Sequence, residues 1–94
     1  MKIIFSNNFQ NALQEIYNYI STDSNERAFS FCDELYNEIS KLTFMPKRCR
    51  KSKLFDDENV RDLIFKGYVV PFKITDESIR ILYIYKANLP KIKE

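Results

Sequence analysis

The side chains able to do chemistry in this chain are cations and phenols. Arg61, Arg80, Lys86, Tyr83 and Tyr85 lie in one run from Asn59 to Lys86, and Lys47, Arg48, Arg50, Lys51 and Lys53 fall within seven residues just before it. Guanidinium and ammonium groups hold phosphates, and aromatic rings stack on unpaired bases, so such a surface can bind RNA. Cutting RNA asks for more: a base for the 2′-hydroxyl, cations to stabilise the charged phosphorane, and an acid for the leaving 5′-oxygen. Arg61, Arg80 and Lys86 can supply cation or acid. Tyr83 or Tyr85 can order a base, which would have to be Glu58 or a lysine of depressed pKa. The structural alternative is that Tyr83 and Tyr85 pack on a sheet and that Arg61 pairs with Glu58 or Asp62. The basic run is either a solvated loop, followed at once by Asp56, Asp57 and Glu58, or a contact for phosphate or an acidic surface.

Other site types are excluded by composition. The chain has no His, one Gly and two Cys. It therefore lacks a Ser-His-Asp or Cys-His pair, a His metal ligand and a Gly-rich phosphate loop. Cys32 falls on an apolar helical stripe. Cys49 lies in the basic run without a base nearby in sequence, and both thiols are expected to be reduced. Asp56, Asp57, Glu58 and Asp62 lack the spacing of a calcium loop and read as a solvated acidic turn. No metal and no cofactor is expected.

The elements that must position these residues follow from hydrophobic period. Lys2 to Phe5 reads as a short strand. Phe9, Ala12, Leu13, Ile16, Tyr17 and Ile20 mark one face of a helix that Ser6 can cap. Asp23 with Glu26 suggests a capping box for a second helix, whose stripe is Ala28, Cys32, Leu35, Ile39 and Leu42 and which Pro46 ends. The period then changes to two. Arg61, Leu63 and Phe65 share a face, Lys66-Gly67 makes a two-residue turn, and Tyr68, Val70, Phe72 and Ile74 share the face of the next strand. Pro71 cannot donate to a ladder, so a bulge or an unpaired amide side is expected there. Ile79, Ile81, Tyr83 and Tyr85 alternate with Arg80, Leu82, Ile84 and Lys86 in a last, central strand. The order is β-α-α-β-β-β: an α+β domain with a helical hairpin packed on one face of a small, mainly antiparallel sheet.

Ninety-four residues, 45% of them hydrophobic, fit a single domain over 1–94. No apolar run approaches the ~20 residues that span a bilayer. The first residues, MKIIFSNNF, are too short a stretch for a signal peptide, so a cytoplasmic location without membrane contact is expected. The net charge of +2 says less about partners than the clustering of the cations does.

Several of these segments together resemble the RelE/ParE superfamily of toxins from bacterial type II toxin–antitoxin modules. They are FSNNFQNALQEIYNYI and AFSFCDELYNEISKL as the hairpin helices, Pro46 after them, Arg61-Asp62-Leu63, the strand YVVPFKI and the strand IRILYIYK. The resemblance covers nearly the whole chain and implies one of two activities. RelE-type members are ribosome-dependent mRNA endoribonucleases; ParE-type members inhibit DNA gyrase and lack the catalytic set. For a nuclease, Arg61, Lys86 and Tyr85 are the expected catalytic residues, Arg61 and Lys86 by the resemblance, which also sets Lys51 and Lys53 where RNA-binding or catalytic lysines stand. Lys47, Arg48, Arg50 and Arg80 join them as contacts to RNA or another target. The absence of His, and the end of the sequence eight residues after Lys86 without another Arg or Tyr, depart from the nuclease pattern. The long helical hairpin resembles the ParE side, and a gyrase inhibitor is the favoured expectation. The resemblance also implies a cognate antitoxin. Phe29, Phe31 and Tyr36, which exceed the narrow stripe of the second helix, are the candidate antitoxin groove unless they pack under the sheet.

Overall fold

A computed structural model describes residues 1–87. Strand β1 (Lys2–Phe5) leads into α1 (Asn7–Ser21) and α2 (Asn25–Ser40), then two single 3₁₀ turns, Lys41–Thr43 and Pro46–Arg48. The sheet is completed by β2 (Arg50–Lys51), β3 (Val60–Phe65), β4 (Tyr68–Ile74), β5 (Ser78–Ile81) and β6 (Tyr85–Lys86). Strand order is β1-β5-β4-β3-β2, with β6 beside β4; β1 runs parallel to β5 and the other pairs are antiparallel. The α+β expectation holds.

Both helices start at a serine. Ser6 accepts from the Phe9 N–H at 3.0 Å and Ser24 from the Arg27 N–H at 3.2 Å, each taking up an otherwise orphaned donor. Asp23 is therefore not the cap of α2. Ser24, one residue closer, takes that role, and Asp23 instead pairs with Arg27 at 3.0 Å. Nor does α2 run to Pro46. It stops at Ser40, and Met45 lies in the left-handed region (φ 57, ψ 57), outside the right-handed helical conformation that a following proline disfavours.

The hairpin buries Phe9 and Leu13 of α1 and Phe31, Leu35 and Ile39 of α2 against Phe65, Val70, Phe72, Ile79 and Ile81. Removing each such side chain from water contributes roughly 1.5–3 kcal/mol. The β3–β4 hairpin closes through Lys66 (φ 47) and Gly67 (φ 83), both positive, which is the turn that matches the natural twist of paired strands.

The last strand is interrupted. Two residues lie between Val69 and Phe72 on β4, but three lie between their partners Tyr85 and Ile81. The extra residue is a bulge, and it sits opposite Pro71, which has no N–H to offer. The Pro71 carbonyl still accepts from Leu82 N at 2.9 Å. The bulge shifts the alternation by one. Ile84, not Tyr83, enters the core (2% exposed against 40%), so the expected continuous face from Ile79 to Tyr85 holds only as far as Ile81.

Candidate functional site

Strand register decides which functional side chains can meet. Arg61 faces Phe72, and Lys86 faces Tyr68; Phe72 and Tyr68 point to the helices with the core. Tyr85 faces Val69, Asp62 faces Pro71, and Arg50 faces Asp62, all on the other side of the sheet. Arg80 joins this side opposite Lys73. This side, away from the helices, is termed the open side, though Asp62, Val69 and Pro71 are covered there. Arg61 and Lys86 thus share a face but lie about 13 Å apart along β4, and Tyr85 is on the opposite face. Of the three residues expected to form a catalytic set, Tyr85 and Lys86 both border a hollow beside α1, with Tyr83 and Glu15, and Arg61 does not reach it.

Arg61 is engaged with the main chain. Its Nε donates to the Glu58 carbonyl at 3.2 Å, and its Nη1 donates to the carbonyls of Lys47 (3.3 Å) and Cys49 (3.1 Å). The guanidinium is a strut that fastens the basic segment before β2 to the start of β3. It pairs with neither the Glu58 nor the Asp62 carboxylate.

Asp62 is held by a different cation. Its side chain is completely buried, and its Oδ2 accepts from Arg50 Nε at 3.1 Å and from the Lys53 N–H at 3.3 Å. Its Oδ1 is buried with no partner. In the sequence Asp62 reads as a partner for Arg61 or as part of an acidic turn. The signal available was its alternation with Arg61 and Leu63, which sends it to the other face, where Arg50 is the cross-strand neighbour. Tyr85 completes the group: burial pushes its hydroxyl up, the Asp62 charge adds to that, and Arg50 pulls it partly back. Its ring stacks on Tyr83, centroids 6.3 Å apart and planes 25° apart. A phenol held protonated in this way is a poor base.

The remaining cations lie on the surface. Lys47 and Arg48 are exposed on the Pro46–Arg48 turn, Lys51 pairs with Glu58 at 3.7 Å, and Lys53 and Arg80 are exposed. Cys49 among them has its thiol pushed up by burial, which outweighs the lowering by Arg48 and Arg61. It is not poised as a thiolate.

The three rings expected to form an antitoxin groove point in different directions. Phe31 is buried, edge-on to Phe65 (5.3 Å) and Tyr68 (5.4 Å). Phe29 is exposed, and Tyr36 is half-exposed against Phe5 at 5.3 Å. On a helix, residues seven apart share a face, whereas residues two apart are turned about 200° from each other. Phe29 and Tyr36 can therefore lie on one surface, and Phe31 cannot join them.

No helix among the described residues is long and apolar enough to cross a membrane. No curated protein matches the sequence. Among solved structures, the chain is similar to one described as the chromosomal ParDE TA system from P. aeruginosa. The TM-score is 0.74 at 19% identity, over 92% of this chain and 95% of the other, which is a likeness of fold. The model of a family described as the ParE toxin of the type II toxin-antitoxin system, parDE, matches residues 3–88. The helical hairpin, the sheet behind it and the match over nearly all the chain agree: this protein belongs to the ParE toxin family and is a toxin of a type II toxin–antitoxin system.

Proposed function

We propose that this toxin acts in the cytoplasm by inhibiting DNA gyrase without cutting nucleic acid, and that a cognate antitoxin encoded beside it neutralises it. The observation that carries this reading is the state of Arg61. A nuclease needs a guanidinium free to meet a phosphorane, and here three backbone carbonyls occupy it. The separation of Arg61 from Lys86 along β4 argues the same way.

One feature favours ribosome-dependent mRNA cleavage as a second reading. Tyr85, stacked on Tyr83, feels the Arg50 charge, a combination of rings and cation suited to unpaired bases. Gyrase supercoiling and coupled translation, each assayed with the purified toxin, separate the two. Lost supercoiling with intact mRNA is expected. Cut mRNA with normal supercoiling would overturn gyrase inhibition.

A further inference from the structure

The turn that Arg61 fastens is more than a loop of cations. Phe44 is 72% exposed and Met45 56%, side by side at its tip. Next to them is a hollow of about 510 Å³ with almost wholly apolar walls, formed by Met1, Met45, Pro46 and Ile74, with Lys47 and Arg48 at its rim. Exposed apolar surface of this kind, rimmed by polar groups, marks a contact site. Neither rim cation has a carboxylate partner among the described residues, whereas Arg50 and Lys51 are matched by Asp62 and Glu58.

The turn is also braced by hydrogen bonds. Arg48 N donates to the Met45 carbonyl (3.1 Å) and Cys49 N to the Pro46 carbonyl (3.3 Å). The carbonyls of Lys47 and Cys49 are pinned by Arg61. The side chains of Phe44, Met45, Lys47 and Arg48 are thus presented on a backbone already ordered, which lowers the entropy cost of binding.

We propose that this turn, Phe44 to Arg48, is the surface with which the toxin grips its protein target, and that the matching target segment is acidic and carries a large apolar side chain. The proposal rests on inhibition of gyrase, a protein target. The apolar hollow accepts the apolar anchor, and Lys47 and Arg48 meet flanking carboxylates and steer the approach. Duplex DNA fits less well, because phosphates ask for cations and donors and leave an apolar hollow empty.

The test uses full-length toxin, purified gyrase A and B subunits, and a short DNA duplex as the nucleic-acid probe. Met45→Gly removes the anchor wall while suiting the left-handed backbone at that position. Phe44→Ser removes the exposed ring, and a Lys47→Glu/Arg48→Glu variant reverses the rim. Each is expected to melt cooperatively as the parent does, yet to bind the gyrase subunit and inhibit supercoiling about tenfold more weakly or worse. Variants that inhibit as the parent does would overturn the proposal and leave gyrase inhibition standing. Duplex binding by the parent that the charge reversal abolishes and Met45→Gly spares would also overturn it, in favour of a nucleic-acid surface. If the parent itself fails to inhibit gyrase, the proposed function and this proposal fall together.

Discussion

The Arg50–Asp62 pair should respond asymmetrically to mutation. Asp62 has no side-chain exposure, while Arg50 is 41% exposed. Arg50→Ala would strand a buried carboxylate whose Oδ1 has no donor and whose Oδ2 keeps only the Lys53 N–H at 3.3 Å. Stranding a buried charge costs about 3–5 kcal/mol. Asp62→Ala would instead release a guanidinium already partly in water. The loss is then a charge-assisted hydrogen bond and a small void, about 1–2 kcal/mol. Adding Asp62→Ala to Arg50→Ala should therefore recover about 2 kcal/mol, because the second change removes the stranded charge. Urea denaturation followed by circular dichroism reads this directly. With a slope of about 2 kcal/mol/M, the midpoint should fall by about 1.5–2.5 M for Arg50→Ala, by under 1 M for Asp62→Ala, and to an intermediate value for the pair. An Arg50→Ala cost equal to or below that of Asp62→Ala, or a double variant less stable than Arg50→Ala, would show that Asp62 is not a buried charge dependent on Arg50.

Arg61→Ala should cost about 2 kcal/mol by freeing three carbonyls, lowering the melting temperature by roughly 8–16 °C, and Arg61→Lys should restore little, since one ammonium cannot span all three. An unchanged melting temperature would remove the strut. Gly67→Ala meets no atom within 4 Å, so its cost isolates the positive φ of 83° at about 1–2 kcal/mol; scanning calorimetry that finds it neutral would contradict the turn assignment. Asp57 is held below its ordinary value by the Asn59 N–H first and then by Lys73. Its folded pKa being depressed, its contribution is present above the unfolded value near 3.8 and is lost as pH falls through the folded one. Asp57→Asn should therefore flatten the acid limb of a stability–pH curve below about pH 4 and leave its neutral limb parallel to the parent's.

The parts of the fold legible in the sequence are those set by local period. The stripes of α1 and α2, the face shared by Val70 and Phe72, and the Lys66-Gly67 turn each depend on residues within a few positions of one another. What sequence reasoning missed depends on pairing. Whether Asp23 or Ser24 caps α2 is a matter of one residue of chain geometry. That Arg61 binds the carbonyls of Lys47 and Cys49 requires knowing that their segment lies beside β3, a contact across 12 or more residues. Which alternative holds for Phe31 was open in the sequence for a related reason: the Phe65 and Tyr68 rings that cover it come from β3 and β4, far along the chain.

The proline in β4 has a consequence for the site that reaches beyond its own strand. Without the bulge opposite Pro71, the pairing of Phe72 with Ile81 would continue in step, and Tyr85 rather than Lys86 would face Tyr68 on the helical side, with Arg61. The extra residue moves Tyr85 to the open side, where it feels the charges of Asp62 and Arg50, and turns Lys86 away from it. Arg61 and Asp62, adjacent in sequence, are divided by the same rule of alternation: one braces the basic turn from the helical side, and the other anchors Arg50 on the open side. The cations that suggested phosphate chemistry are thus distributed by strand parity into bracing, pairing and display. Among the basic residues considered for phosphate chemistry, Lys47, Arg48, Lys53, Arg80 and Lys86 remain exposed without an acidic partner among the described residues, and the first two of these flank an apolar hollow rather than a proton-transfer group. That distribution suits a toxin that works by holding a protein more than one that works by cutting a strand.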